Sequence, residues 1–160
     1  MKKKVFTSIG LMSGTSMDGV DLSLIKSDGY NEFTPILDKY FEFDKNLQRK
    51  LIVCRDQLNT TNDLKKYSKE LQALEREFTL FHAKILNEIL TNSKHKIDLV
   101  GFHGQTVLHN SEKKISRQIG DGKLLSQLTK KIVINDFRTN DLKKDGQGAP
   151  LTPIFHQLIS

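Results

Sequence analysis

Short apolar runs separated by polar turns make up the first third of the chain. Residues 5–9 and 20–25 are rich in β-branched side chains, which predicts two strands joined by a hairpin. Residues 33–43 predict a third strand, and Pro35 belongs near its start or on a sheet edge. Asp44 is predicted to cap a short helix whose apolar face consists of Leu47, Leu51, Cys54 and Leu58.

A long one-sided helix is the clearest element that the sequence predicts. From Asp63 to about Thr91, apolar residues recur at alternating spacings of three and four, which is typical of a helix with one buried face. His82 lies beside this stripe and is interpreted as a structural residue. The stripe consists of Leu64, Tyr67, Leu71, Leu74, Phe78, Phe81, Ile85 and Ile89.

Two compact apolar runs in the second half of the chain predict buried strands. They cover residues 97–102 and 131–135, with a short helix predicted at 123–130 and the start of another at 149–160. Parallel strands are reached through crossovers, whereas the first three strands can pair antiparallel through tight turns. The sequence therefore predicts an α/β fold with a mixed sheet flanked by helices.

Composition and charge exclude several classes of function. The 160 residues suffice for one domain with a core, and the net charge of +6 comes largely from scattered lysine pairs without interleaved aromatic residues. No nucleic-acid module is therefore indicated. No apolar run is long enough to span a membrane, and the first twelve residues do not make a signal peptide. The single cysteine, Cys54, cannot form an internal disulfide, so a cytoplasmic location is expected.

The loop between the first two predicted strands carries the strongest candidate chemistry. Gly14 and Gly19 allow the backbone to turn and to approach a ligand closely. The hydroxyls of Thr15 and Ser16 lie beside backbone N–H groups, and successive N–H groups in a turn can bind an anion. The loop is therefore predicted to grip phosphate.

Two acidic residues near the end of this loop could hold a cation. Asp18 and Asp21 offer the hard oxygen ligands that suit Mg²⁺. The alternative is a plain polar hairpin, since Gly, Ser and Asp are common turn residues. The segment is neither a Walker A motif nor a Rossmann fingerprint, because it lacks a Gly-Lys-Ser/Thr ending and precedes a strand.

Further polar loops follow the strands predicted in the second half. His103 and Gln105 could bind a hydroxylated substrate, although a structural hydrogen bond is an alternative role for His103. Arg138 could clamp a carboxylate or phosphate, or could form an ion pair with a neighbouring aspartate. Asp121 is either a ligand or a turn former. Together the loops predict one polar cleft.

A metal hydrolase is a weaker hypothesis for the same loops. It would use His103, His109 and Asp136. The spacing of these residues does not match that of known zinc sites.

Five segments, in order and spacing, resemble the anhydro-N-acetylmuramic acid kinase family. The resemblance covers the whole chain and implies a ribonuclease-H-like domain of the sugar kinase, Hsp70 and actin superfamily, in which two such domains close over ATP. The segments are residues 11–21, 103–107, 118–121, Asp136-Phe137-Arg138 with Asp141, and 146–151 with Pro153.

The resemblance also implies a reaction and roles for individual residues. The family opens the 1,6-anhydro ring of a recycled cell-wall sugar with water and phosphorylates the 6-oxygen from ATP. The resemblance implies Mg²⁺ at Asp18, and it implies sugar contacts by His103, Gln105, Arg138 and Asp141. The implied nucleotide-binding residues are Gly14, Thr15, Ser16, Met17, Asp18, Gly19, Val20 and Asp21.

The chain departs from the family at two loop positions and in length. Asn135 and Asp145 stand where the family usually has glycine. The family's later Asp-Thr-Gly-Pro-Gly segment, which resembles the site of the water-activating aspartate, does not occur in the 160 residues. Residues 1–148 are therefore expected to form an N-terminal ATPase-like domain, and residues 149–160 the start of a truncated helix leading to a missing C-terminal domain.

Such a chain is expected to be inactive alone. The expected partners are an amino-sugar substrate and either a separate C-terminal half or a second copy of the chain. A non-catalytic nucleotide- or partner-binding fragment is the alternative.

Overall fold

The chain begins with three antiparallel strands joined by turns. The structure, a computed structural model, describes residues 4–152. In it, β1 (Phe6–Met12), β2 (Gly19–Ser27) and β3 (Phe33–Glu42) form the predicted meander, with β2 in the middle. Side chains alternate across the sheet, so one face of β1 and β2 collects the apolar residues. The buried cross-strand pairs there are Ile9 with Leu24 and Leu11 with Leu22.

Three helices follow the meander. α1 (Lys45–Gln57) begins after Asp44, whose carboxylate accepts hydrogen bonds from two backbone N–H groups, and this confirms the predicted cap. The predicted long helix is divided at Tyr67 into α2 (Thr61–Lys66) and α3 (Ser68–Asn92). Between residues 4 and 152, no helix is both long and apolar enough to cross a membrane. The buried stripe of α3 includes Leu71, Leu74, Phe78, Ile85 and Ile89.

A strand and a separate hairpin follow α3. β4 (Leu99–Phe102) pairs in parallel with β1, so the chain has crossed the sheet through the helices. β5 (Gln105–Asn110) and β6 (Ile115–Ile119) form a two-stranded antiparallel sheet of their own. The sequence does not predict this hairpin, because polar residues in both strands obscure the alternation that signals a strand.

The last described elements complete the main sheet. After α4 (Gly122–Thr129), β7 (Ile132–Asn135) pairs in parallel with β4, and the short α5 (Thr139–Lys143) follows. The strand order is β3-β2-β1-β4-β7. β2 runs in the opposite direction to the other four strands. This is the predicted mixed sheet of a ribonuclease-H-like domain in the sugar kinase, Hsp70 and actin superfamily.

Two predictions for the C-terminal part of the fold need correction. β7 is not a buried strand, since Ile132 is 67% and Ile134 is 46% exposed at the edge of the sheet, while Val133 packs against the core. A helix does not begin at residue 149, because residues 149–152 are not helical. The rest of that predicted helix, residues 153–160, lies outside the described residues.

The core lies between α3 and the apolar face of the main sheet. Its centre is aromatic, with the Phe78 and His82 ring centroids 4.2 Å apart and those of His82 and Phe102 5.0 Å apart. His82 is 1% exposed, which confirms its structural interpretation. Phe102 ends β4, so this cluster supports the strand that leads into His103.

Candidate functional site

Three loops meet at one edge of the main sheet because the strands that precede them are parallel. Leu11 of β1 lies beside Phe102 of β4, which lies beside Asn135 of β7. Ligands of α/β proteins bind at such carboxyl edges. The second loop follows β4 and the third follows β7, and both line a cavity of about 250 Å³. The cavity agrees with only part of the predicted polar cleft, because none of residues 13–21 lines it. Its lining includes His103, Gln118, Gly120, Asn135, Asp136 and Thr139.

The first loop, residues 13–18, directs three polar side chains to solvent and buries its apolar one. Thr15, Ser16 and Asp18 are exposed. Met17 is fully buried in a left-handed conformation with φ of 55°, and its N–H donates to the Gly14 carbonyl at 3.2 Å. Met17 therefore anchors the turn that presents two hydroxyls and a carboxylate outward.

Asp18 is the candidate metal-binding carboxylate. Its Oδ1 accepts a hydrogen bond from the Ser16 hydroxyl at 2.6 Å, and this bond holds the pKa of Asp18 below its ordinary value. Mg²⁺ commonly binds through one or two carboxylates plus substrate phosphates, and it keeps several waters. The exposed carboxylate of Asp18, with its lowered pKa, is the kind of ligand that this ion takes.

Sequence reasoning missed Tyr40, whose hydroxyl lies against the same carboxylate. Burial, with a further contribution from the charge of Asp18, raises the pKa of Tyr40. Tyr40 lies opposite Asp21 in the pairing of β3 with β2. Assigning the register of the predicted meander would therefore have brought Tyr40 to the site.

Gly19 ends the first loop where the backbone packs most closely, and we expect Gly19→Ala to disturb it. An added Cβ would lie 2.5 Å from the Phe41 carbonyl oxygen and 2.6 Å from the Tyr40 ring. Overpacking of this kind lowers the free energy of unfolding by about 1–3 kcal/mol. Urea denaturation measures the change. Gly14→Ala is the control, because its Cβ would meet only Ser16 Oγ at 3.6 Å; equal losses in both variants would contradict the expectation.

Gln105 lies beneath the first loop and is fully buried. Its Nε2 donates to the Gly14 carbonyl at 3.0 Å, and its Oε1 accepts from the Ser13 hydroxyl at 2.6 Å. Ser13, which sequence reasoning also missed, is buried with its Oγ 3.0 Å from the Gly19 carbonyl. The structure thus joins Gln105 to the first loop.

His103 is held as a neutral imidazole between two partners. Its Nδ1 lies 2.8 Å from the Gly104 carbonyl oxygen, which can only accept, so Nδ1 carries the hydrogen. Its Nε2 accepts from Arg138 Nε at 3.1 Å and Nη2 at 2.9 Å. Burial, with a smaller contribution from the Arg138 charge, lowers the pKa of His103. His103 thus forms structural hydrogen bonds, which is the alternative role predicted for it from the sequence.

Arg138 and Asp141 hold the backbone of the glycine-containing segment 146–148. Arg138 Nη1 donates to the Gly148 carbonyl at 2.7 Å, and Asp141 Oδ2 accepts from the Gly148 N–H at 2.7 Å. Through Arg138, His103 belongs to the same network. The structure therefore brings three of the four predicted sugar contacts together, and places Gln105 with the first loop instead.

Both departures from the family pattern are accommodated by local contacts. Asp145 adopts φ of 67°, the left-handed region that favours glycine, and its carboxylate pairs with Lys114 at the tip of the β5–β6 hairpin. The Asn135 side chain lies against Gly122, where a Cβ would come within 2.6 Å of it. Neither side chain therefore breaks the loop that contains it.

The residues described here do not support a metal hydrolase. Within residues 4–152, no group of three or more His, Cys, Asp or Glu side chains could hold a metal ion. His109 is exposed on β5, and its Nδ1 lies 3.2 Å from Ser116 Oγ. Asp121 caps α4 by accepting from the Leu124 N–H at 2.9 Å, which agrees with the role of a turn former.

Comparisons with known proteins find a matching family and several relatives. Residues 6–160 match the family described as anhydro-N-acetylmuramic acid kinase. A relative of that name from Pelagibacter ubique (strain HTCC1062) is 56% identical over 157 residues, which cover 98% of this chain and 42% of the relative. Relatives of the same name from Rhizobium etli and Agrobacterium fabrum are 41% and 39% identical, each with 98% of this chain covered and 43% of the relative. The chain thus spans less than half the length of these curated relatives.

Proposed function

Because the chain belongs to the anhydro-N-acetylmuramic acid kinase family, we propose that it provides the phosphate-binding half of such a kinase. The reaction would open the 1,6-anhydro ring with water and transfer a phosphoryl group from ATP to the 6-oxygen, giving N-acetylmuramic acid 6-phosphate. The observation that carries the proposal is the meeting of three polar loops at the carboxyl edge of β1, β4 and β7.

We assign residues 14–21 to the phosphates of ATP. The exposed Thr15 hydroxyl and the N–H groups of the turn can donate to phosphate oxygens, while the Ser16 hydroxyl donates to Asp18. Met17 and Val20 bury their side chains, so they can contribute only their backbones. Asp18 would hold Mg²⁺, which neutralises phosphate charge when it is bound.

We assign the amino sugar to the cavity beside His103. Phosphoryl transfer depends mainly on the position of the acceptor oxygen, and this cavity offers amide, hydroxyl and carboxylate groups to hydroxyls of a sugar. Arg138 and Asp141 fix segment 146–148 at the side of the third loop. In this proposal they hold the third loop in place, and Asp136 and Thr139 of that region line the sugar site.

A second domain would supply what these residues do not. We propose that residues 1–148 form the N-terminal ATPase-like domain, and that the general base and the adenosine site belong to chain beyond it, in the same polypeptide or a separate one. Closure of two domains excludes water from the reacting groups. A second copy of this chain in a homodimer would duplicate the phosphate loop without supplying those groups. We place the activity in the cytoplasm, where the lone, half-buried Cys54 would stay reduced.

The test is an assay of the chain with and without a second half. We expect no ATP-dependent phosphorylation of 1,6-anhydro-N-acetylmuramic acid by the chain alone. Addition of the separately produced C-terminal part of the Pelagibacter ubique relative should restore transfer of labelled phosphate to the sugar. Robust turnover by the chain alone would contradict the need for a second domain.

Asp18→Asn provides a matched variant for the restored reaction. It removes the proposed Mg²⁺ ligand and should lower the rate by roughly a hundredfold or more. Asp38→Asn is the control, since Asp38 is an exposed carboxylate on β3 that also accepts from a serine, Ser23. Protection of the first loop from hydrogen exchange by Mg²⁺-ATP, without turnover even after complementation, would instead favour the non-catalytic nucleotide-binding fragment.

A further inference from the structure

We propose that Gln105 and Ser13 form a buried clamp that fixes the first loop, so that Gln105 is a positioning residue and not a sugar contact. Gln105 is 0% and Ser13 3% exposed, and they lie 92 positions apart in the sequence. The inference rests on the proposed role of that loop in binding phosphate.

The orientation of the Gln105 amide follows from its neighbours. The Gly14 carbonyl, 3.0 Å from Nε2, can only accept a hydrogen bond, so the amide nitrogen must face it. This turns Oε1 towards Ser13, whose hydroxyl must then donate. The hydroxyl has one proton, and Oε1 at 2.6 Å is closer than the alternative acceptor, the Gly19 carbonyl at 3.0 Å. The donor and acceptor of the amide are both engaged within the chain.

The clamp contacts both ends of the loop. Gly14 at its start accepts from Gln105 and, through the same carbonyl, from the Met17 N–H that closes the turn. Ser13 lies beside the Gly19 carbonyl at the loop's other end. A buried polar group left without a partner is costly, so the closed loop is favoured before any ligand arrives. A preorganised loop binds phosphate without the cost of ordering it.

Sugar contact by Gln105 would require this arrangement to open. The side chain has no exposed surface, and release of its amide would cost the Gly14 carbonyl one of its two donors. It would also leave the Ser13 hydroxyl with only the more distant of its two acceptors, the Gly19 carbonyl. Gln105 begins β5, and its backbone pairs with Ile119 of β6, so the hairpin also fixes its position. The β5–β6 hairpin therefore connects the first loop to the cavity beside His103.

The experiment compares Gln105→Met and Ser13→Ala with the parent chain. Methionine nearly preserves the volume of glutamine but makes neither hydrogen bond. We expect the Met17 amide to exchange its hydrogen about tenfold faster in each variant. With the C-terminal part of the Pelagibacter ubique relative added, the Kd for Mg²⁺-ATP should rise about tenfold. Both substitutions break the same hydrogen bond between Ser13 and Gln105. The double variant should therefore change the exchange rate and the Kd by less than the product of the two single effects. Ser13→Ala is the smaller change, so it tests the clamp alone if Gln105→Met does not fold.

Thr129→Val is the matched control, since it removes a buried hydroxyl that donates to the Leu125 carbonyl within α4. It should lower stability while leaving loop exchange and ATP affinity within about twofold of the parent. Unchanged exchange of the Met17 amide in both clamp variants would overturn the clamp, as would a loss confined to sugar binding. Faster exchange, with no Mg²⁺-ATP bound even when the C-terminal part of the Pelagibacter ubique relative is added, would support the clamp and overturn the proposed function.

Discussion

Phe78→Ala is expected to lower the free energy of unfolding by about 3–5 kcal/mol. Phe78 is fully buried on α3, and its ring centroid lies 5.8 Å from that of Phe43 and 6.2 Å from that of Phe102. Removal of the ring costs its transfer free energy and leaves a cavity between the helix and the sheet. Small domains have only about 5–15 kcal/mol in total, so urea denaturation should detect a large shift of the midpoint.

Leu80→Ala is the control on the same helix. Leu80 is 43% exposed, and its loss should change the free energy of unfolding by no more than about 0.5 kcal/mol. A loss below about 1 kcal/mol at Phe78 would show that α3 does not pack on the sheet as described. Since Phe102 immediately precedes His103, the Phe78 variant should also alter the cavity that His103 lines.

Local periodicity explains why the helices and the meander could be predicted from the sequence. The apolar stripe of α3 repeats over about five turns, from Leu71 to Ile89, and any packing that buries it must use the same face. The cap at Asp44 depends only on its neighbours in the chain. The break at Tyr67 escaped prediction because it leaves the apolar periodicity almost unchanged.

Burial at the sheet edge could not be predicted in the same way. Ile132 and Ile134 have the composition of a buried strand, but β7 is the last strand of the described sheet and only Val133 faces the core. Whether such a strand is covered depends on what lies beside it, which a local apolar run does not encode.

For the site, the position of the loops could be predicted from the sequence, but the hydrogen bonds between them could not. The sequence indicates that the loops after β1, β4 and β7 converge, because parallel strands impose it. It does not indicate which groups in these loops bind one another. The partners of Arg138 are His103, 35 positions away, and the backbone of Gly148, and neither can be found without the tertiary structure. Side chains that suit a ligand also suit a backbone carbonyl, so residue type alone leaves the role of Gln105 open.

Acidification from pH 7 to about pH 4.5 is expected to destabilise the chain through His82. Burial lowers the pKa of His82 from 6.5 to about 4, and the rings packed around it belong to Phe43, Phe78, Phe81 and Phe102. The unfolded chain takes up a proton near pH 6.5, whereas the folded chain keeps this imidazole neutral until about pH 4. Between these values the unfolded state binds more protons, so stability falls as the pH falls. The full difference corresponds to about 3 kcal/mol.

His82→Leu isolates this contribution from that of other titrating groups. Leucine cannot take up a proton, so the difference in unfolding free energy between parent and variant should change by about 2–3 kcal/mol between pH 7 and pH 4.5. His103, whose pKa burial also lowers, contributes in the same direction and is present in both proteins. Parallel profiles for the parent and His82→Leu would mean that water reaches His82 in the folded chain.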